Sequence, residues 1–132
     1  MHAILVADVP ELDSRLISLL PGEELYFVRT LDEAVRALER ADFRVLVTSV
    51  HFDDSRMFEL LRQVRLEGRQ RSIPILCVRE HGLGFPAAST HTLEATCRAL
   101  EANAFLDLAA LKDDDERNAA LRAAIDRLVK GG

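Results

Sequence analysis

Five short apolar runs recur along the chain: AILVA at 3–7, LYFVRT at 25–30, VLVTSV at 45–50, IPILCV at 73–78 and AFLDL at 104–108. Each is too short for a buried helix and rich in β-branched or aromatic residues, so each reads as a strand. Between them the apolar period changes from two to three and four, the spacing of a helix face. No Asn-Gly or Asp-Gly pair sits between two runs to close a hairpin. Strands joined by helices pair in parallel, and their crossovers are right-handed. The expected fold class is therefore α/β: a doubly wound, five-stranded parallel sheet of order 2-1-3-4-5 with helices on both faces. In such a sheet, ligands sit outside the carboxyl ends of the strands, beside strands 1 and 3.

The helices carry their own punctuation. Asp8 and Pro10 open the first, with Leu12, Leu16, Leu19 and Leu20 facing inward, and Pro21-Gly22 stops it. Asp8 reads as that helix's cap. Thr30 and Glu33 form a T-x-x-E capping box ahead of Leu31, Ala34, Val35 and Leu38. The third helix buries Met57, Leu60, Leu61 and Val64, with Asp54 or Ser55 as its expected cap. A loop, REHGLGFPAAS, leads to a fourth with Leu93, Cys97 and Leu100 in register. The last is expected from Asp113 to Lys130, with Leu121, Ile125 and Leu128 inward and an acidic opening suited to the helix dipole.

Size and charge narrow the function. A chain of 132 residues fits one domain, 1–132, with a single core. No apolar run approaches the roughly 20 residues of a membrane span, and the N-terminus has no basic region before its apolar run. A cytoplasmic location without membrane attachment is expected. The formal net charge of −5 disfavours nucleic acid. The local basic run at Arg62, Arg65, Arg69 and Arg71 lacks aromatic residues for stacking and reads as the solvated end of a helix and its following loop. Cys77 and Cys97 sit in apolar patterns as buried small hydrophobes. With His2, His51, His81 and His91 they form no close C-x-x-C or H-x-x-x-H pair, so no zinc site is expected.

The segments AILVADVPELDSRLISLL, VLVTSVHFDDSRMFELLRQVR, SIPILCV and EANAFLDL fall in the order and spacing of one family. Over its whole length the chain resembles the receiver domains of bacterial two-component response regulators, with ELLRQVR a good match to their third helix. The resemblance implies a CheY-like, flavodoxin-like fold and a degenerate phosphorylation site. The family's metal-binding acid pair maps to Ala7 and Asp8. Its phosphoacceptor aspartate maps to Ser49, its small hydroxyl residue to Arg79, its lysine to Leu108 and the following proline to Ala109. Phe105 falls where the family keeps a switching aromatic residue.

Those replacements remove the chemistry. Mg²⁺ wants octahedral oxygen ligands with carboxylate charge, and phosphoryl transfer relies on cations around the moving oxygens. Ser49 is a weak nucleophile without a base, and strand alternation does not turn His51 toward it. The expected function is a non-enzymatic pseudo-receiver, without cofactor or metal, working through protein partners on the α4-β5-α5 face (93–130), with a homodimer as one form. Two alternatives stay open: an acceptor relocated to Asp53 or Asp54, or a flavodoxin-like binder of a small ligand. ADVPELD counts against the second, offering three acids and no glycine where a phosphate would be cradled. Asp53 and Asp54 otherwise read as solvated loop acids. Arg79 reads as an exposed loop arginine, an anion ligand or a partner of Asp8. The glycines and proline of the fourth loop (Gly82, Gly84, Pro86) mark a place for a partner or ligand.

Overall fold

A computed structural model describes residues 2–79, 87–108 and 114–131. The strands are β1 (Ala3–Ala7), β2 (Leu25–Val28), β3 (Phe43–Ser49), β4 (Ile75–Arg79) and β5 (Ala104–Asp107). All pair in parallel, in the order β2-β1-β3-β4-β5. The helices are α1 (Asp13–Leu19), α2 (Leu31–Arg40), α3 (Met57–Glu67), α4 (Ala87–Ala99) and α5 (Asp115–Gly131); a 3₁₀ turn (Pro10–Leu12) precedes α1. Fold class and strand order are those expected from the sequence.

Alternation along each strand splits the core into two layers. Leu5, Ala7, Leu46, Ile75 and Cys77 pack with Ala34, Leu38, Leu60, Leu61, Val64 and Cys97 under α2, α3 and α4. Ile4, Val6, Val45, Val47, Leu76 and Val78 pack with Leu12, Leu16, Leu19, Leu121 and Ile125 under α1 and α5. Every helical residue expected to face inward is buried or packed on one of these layers.

Several boundaries move for identifiable reasons. Asp8 does not cap the first helix; Val9 holds that position without a side-chain bond, and Pro10 begins the turn. β2 ends at Val28, because Thr30 leaves the sheet to cap α2 in the full capping box with Glu33. Asp54 and Ser55 do not cap α3, whose N-cap position is Arg56. Asp53 reaches across instead, its Oδ2 accepting the Leu31 N–H of α2 at 2.7 Å. At the last helix Asp114 serves as cap, accepting from Arg117 N at 2.8 Å.

Arg65 is not a solvated helix end. Its guanidinium donates to the carbonyls of Arg71 (2.6 Å), Ile73 (2.7 Å) and Glu101 (2.8 and 3.1 Å) and to Asn103 Oδ1 (3.0 Å). Asn103 Oδ1 also receives Ile75 N–H at 2.8 Å, so one arginine gathers the entries of β4 and β5 onto α3. Arg62, Arg69 and Arg71 are exposed as expected.

The same clamp holds a strained turn. α4 ends with Ala102 N–H bonded to Cys97 O and Glu101 N–H to Arg98 O, the double bond of a Schellman motif. The residue in the left-handed position is Glu101, at φ 67°, where glycine is the usual occupant. A Glu101→Gly variant is expected to gain about 1 kcal/mol of stability, since a left-handed non-glycine residue costs about that much. The gain is read as a higher urea midpoint at unchanged slope.

Candidate functional site

The pairing register sets the site. Ala7 lies opposite Val28 on one side and Thr48 on the other, so Asp8, Arg29 and Ser49 meet at the carboxyl end of the sheet. Ser49 faces Val78 across β4, and Arg79 faces Asp107 across β5.

Asp8 is almost wholly buried (1% exposed). Its Oδ1 accepts from Arg29 Nη1 at 2.6 Å. The same Nη1 donates to Asp13 Oδ1 at 3.0 Å, and Nη2 donates to Asp13 Oδ2, giving a two-pronged pair with the first residue of α1. The guanidinium also lies 5.7 Å from the Phe27 ring centre. Behind it, the Arg29 backbone N–H donates to Glu33 Oε1 at 3.0 Å, so the capping box of α2 fixes where the arginine leaves the sheet.

One guanidinium beside two carboxylates leaves one negative charge over, and Asp8 has no exposed side-chain surface on which to carry it. The more buried acid therefore keeps a proton. Asp8 is pushed up to about 8, first by burial and then by its hydrogen bond to Asp13 and the repulsion of that carboxylate, against the pull of Arg29. Burial also works against Asp13, but hydrogen bonds from Arg29 and from the proton-bearing Asp8 hold it below the ordinary carboxylate range. Two acids next to one cation thus divide into a neutral and an ionised member.

Ser49 is fully buried (0% exposed), and its Oγ has no hydrogen-bond partner among the described residues; Thr48 Oγ1 beside it is the same. Alternation turns Ser49 to the side of Val45 and Val47, the layer that holds Val78 and Leu108. His51 does not serve it as a base: its Nδ1 stands 3.5 Å from Ser55 Oγ, four residues on. The intervening Asp53, Asp54 and Ser55 all adopt left-handed backbone, at φ 46°, 54° and 64°. Asp53 is tied to Leu31 as described, whereas Asp54 is exposed.

On the far side, Leu108 is 1% exposed and packs in the α1/α5 layer. Its carbonyl accepts from Arg15 Nη1 of α1 at 2.5 Å. Arg79 is neither an exposed loop residue nor a partner of Asp8. It is 6% exposed, and its Nη1 donates to both Asp107 oxygens, at 2.8 and 3.0 Å. The basic side chain at the end of β4 is thus matched by an acid at the end of β5. Phe105, paired with Cys77 in register, is partly buried and packs on the α4 side of the core. Ala109 and the Gly82, Gly84 and Pro86 loop lie outside the described residues.

Asp8, Ser49, Arg79 and Leu108 thus share one end of the sheet, as their places after successive strands implied. Arg29, Asp13, Arg15 and Asp107 were not singled out, although Arg29 closes the site electrostatically. The order 2-1 of the first strands was the signal for it, because that order sets the residue after β2 beside the residue after β1. Among the described residues, no group of three or more His, Cys, Asp and Glu side chains is disposed to hold a metal ion. No helix among them is long and apolar enough to cross a membrane. A cleft of about 520 Å³ opens elsewhere, between α2 and the β2 edge, and none of the crevice residues lines it.

No family model matches the sequence. No curated protein matches it either. Solved structures do. The signal receiver domain of a histidine kinase from Syntrophus aciditrophicus superposes with a TM-score of 0.72 at 23% identity, covering 99% of this chain and 92% of its own. A response regulator from Hahella chejuensis gives 0.74 at 17% identity, covering 97% and 95%. The receiver domain of a sensor histidine kinase from Pseudomonas aeruginosa, with a magnesium ion coordinated in its active-site cleft, gives 0.71 at 19% identity and 98% coverage of both chains. The fold is the receiver fold.

The sign of the pH dependence follows from Asp8. Its folded pKa is raised from 3.8 to about 8, so the folded state holds a proton that the unfolded chain releases between those values. That contribution to stability is full below about pH 4 and is lost as pH rises toward about 8. Asp13, lowered, contributes in the opposite sense, and its share is already complete above its ordinary value. Urea unfolding at pH 5 and pH 8 is expected to show wild type losing more stability than Asp8→Asn, which keeps the neutral shape at both pH values. Equal losses in the two proteins would rule out a raised Asp8.

Proposed function

We propose that this chain is a pseudo-receiver: a non-enzymatic signalling module of the two-component type that works without phosphorylation, through contact with protein partners. One observation carries the reading. The acceptor position holds a hydroxyl, Ser49, that is wholly buried and unpartnered among the described residues, where phosphoryl transfer needs an accessible nucleophile.

The surroundings point the same way. The Pseudomonas aeruginosa receiver carries magnesium in its cleft. Here the residues at that place do not fit such an ion. Asp8 Oδ1 and both oxygens of Asp13 are already bonded to Arg29, and Ser49 supplies no carboxylate. The position of a charge-neutralising lysine holds Leu108, buried among Leu12, Leu16 and Val78. The relocated acceptor gains no support: Asp53 spends one oxygen on Leu31 N–H, and Asp54 is an exposed acid with no cation bonded to it in the described contacts. Without a phosphate to bias the fold, any change of state draws on differential binding of a partner or ligand. The surface proposed for that contact is α4-β5-α5, which partners or a second copy would cover.

Incubation with acetyl phosphate and Mg²⁺ tests the reading by intact mass. No labile phosphate adduct is expected, and beryllofluoride with Mg²⁺ is expected to leave the unfolding midpoint unchanged. A labile adduct of one phosphate on the protein would overturn it.

A further inference from the structure

We propose that the Arg29 guanidinium is a built-in cation that occupies the acidic end of the crevice and denies it to metal ions, so that removing Arg29 uncovers a divalent-cation site formed by Asp8 and Asp13. The inference rests on the pseudo-receiver reading and explains what satisfies the acid that this reading leaves behind.

Three observations converge on it. First, the guanidinium makes the contacts a bound cation would make: Asp8 Oδ1 at 2.6 Å, Asp13 Oδ1 at 3.0 Å, Asp13 Oδ2 through its other nitrogen, and the Asp8 carbonyl at 3.5 Å. Second, Asp8 has a fully buried side chain whose Oδ2 receives no N–H among the described residues. A hard cation replacing the guanidinium would displace the Asp8 proton to solvent and find two carboxylates and a main-chain carbonyl. Third, Arg29 is held from behind, by its N–H on Glu33 Oε1 and by the Phe27 ring, so its position does not depend on the acids alone. A planar fork suits Asp13 in a way that an ammonium would not. Removing it leaves two acids facing one another, and that arrangement attracts a divalent ion in its place.

Mn²⁺ binding to the full chain, followed by the electron paramagnetic resonance of the free ion and by calorimetry, tests the proposal. Wild type is expected to show no saturable binding below ~1 mM, whereas Arg29→Ala and Arg29→Gln bind one Mn²⁺ about tenfold tighter or more. Arg29→Ala combined with Asp8→Asn returns to wild-type behaviour, and Arg29→Lys, which keeps the charge, excludes the ion. Thermal unfolding of each variant with and without Mn²⁺ covers a loss of folding. Rescue of Arg29→Ala or Arg29→Gln by Mn²⁺ supports the site, and variants unfolded in both conditions count against it. Wild type binding as tightly as the variants, variants binding nothing, or binding that survives Asp8→Asn each overturn the proposal. Phosphate uptake by wild type would instead sink the pseudo-receiver reading, whatever the Mn²⁺ result.

Discussion

A carboxylate with no exposed side-chain surface must be neutralised, paired or both, and at Asp8 the fold does both with one arginine. Arg29 joins the end of β1 to the start of α1, and it can do so because β2 lies beside β1 in the sheet. The capping box of α2 then fixes the backbone from which Arg29 projects. Strand order, helix start and charge balance are thus tied at one point. The guanidinium is 38% exposed in its side chain, so solvent screens part of its attraction. The buried acid still depends on it, because Asp8 Oδ1 takes its hydrogen bond from Arg29 and the charge of the neighbouring Asp13 is balanced there.

The rest of the carboxyl end is closed by the same means. Arg15 reaches the Leu108 carbonyl from α1, and Arg79 pairs with Asp107 across β4 and β5. Leu108 itself is buried in the layer under α1 and α5. Arginine suits this work because its fork bonds carbonyls and carboxylates in fixed geometry and stays charged when partly buried. Arg65 does the equivalent at the opposite end, taking carbonyls from two connecting segments and helping to hold Glu101 in an unfavourable conformation. At both ends of the sheet, then, arginine supplies connections where backbone groups and acids would otherwise be left without a partner.

How much of this was legible in the sequence differs by residue. Five apolar runs and their helical spacers carried the fold, since periodicity is a local property of the chain. The places of Ser49 and Leu108 were visible too, because each lies at the end of a strand that could be counted. Arg29 was hidden inside LYFVRT, read as strand to its end. Asp53 was read as a loop acid, yet it caps a helix 22 residues earlier. Arg65 sat in a basic run whose composition said surface. Each miss is a side chain whose partner is remote in sequence, and no local pattern reports such a partner.

The sequence by itself determined the alternation of strand and helix, the two faces of the sheet and the absence of an acid at position 49. Tertiary structure decided where the charges go: which acid keeps its proton, which arginine meets it, and that the Ser49 hydroxyl is shut from solvent. The physical reason is range. Apolar periodicity acts over one or two turns of chain, whereas burial and ion pairing depend on which segments the sheet order brings together.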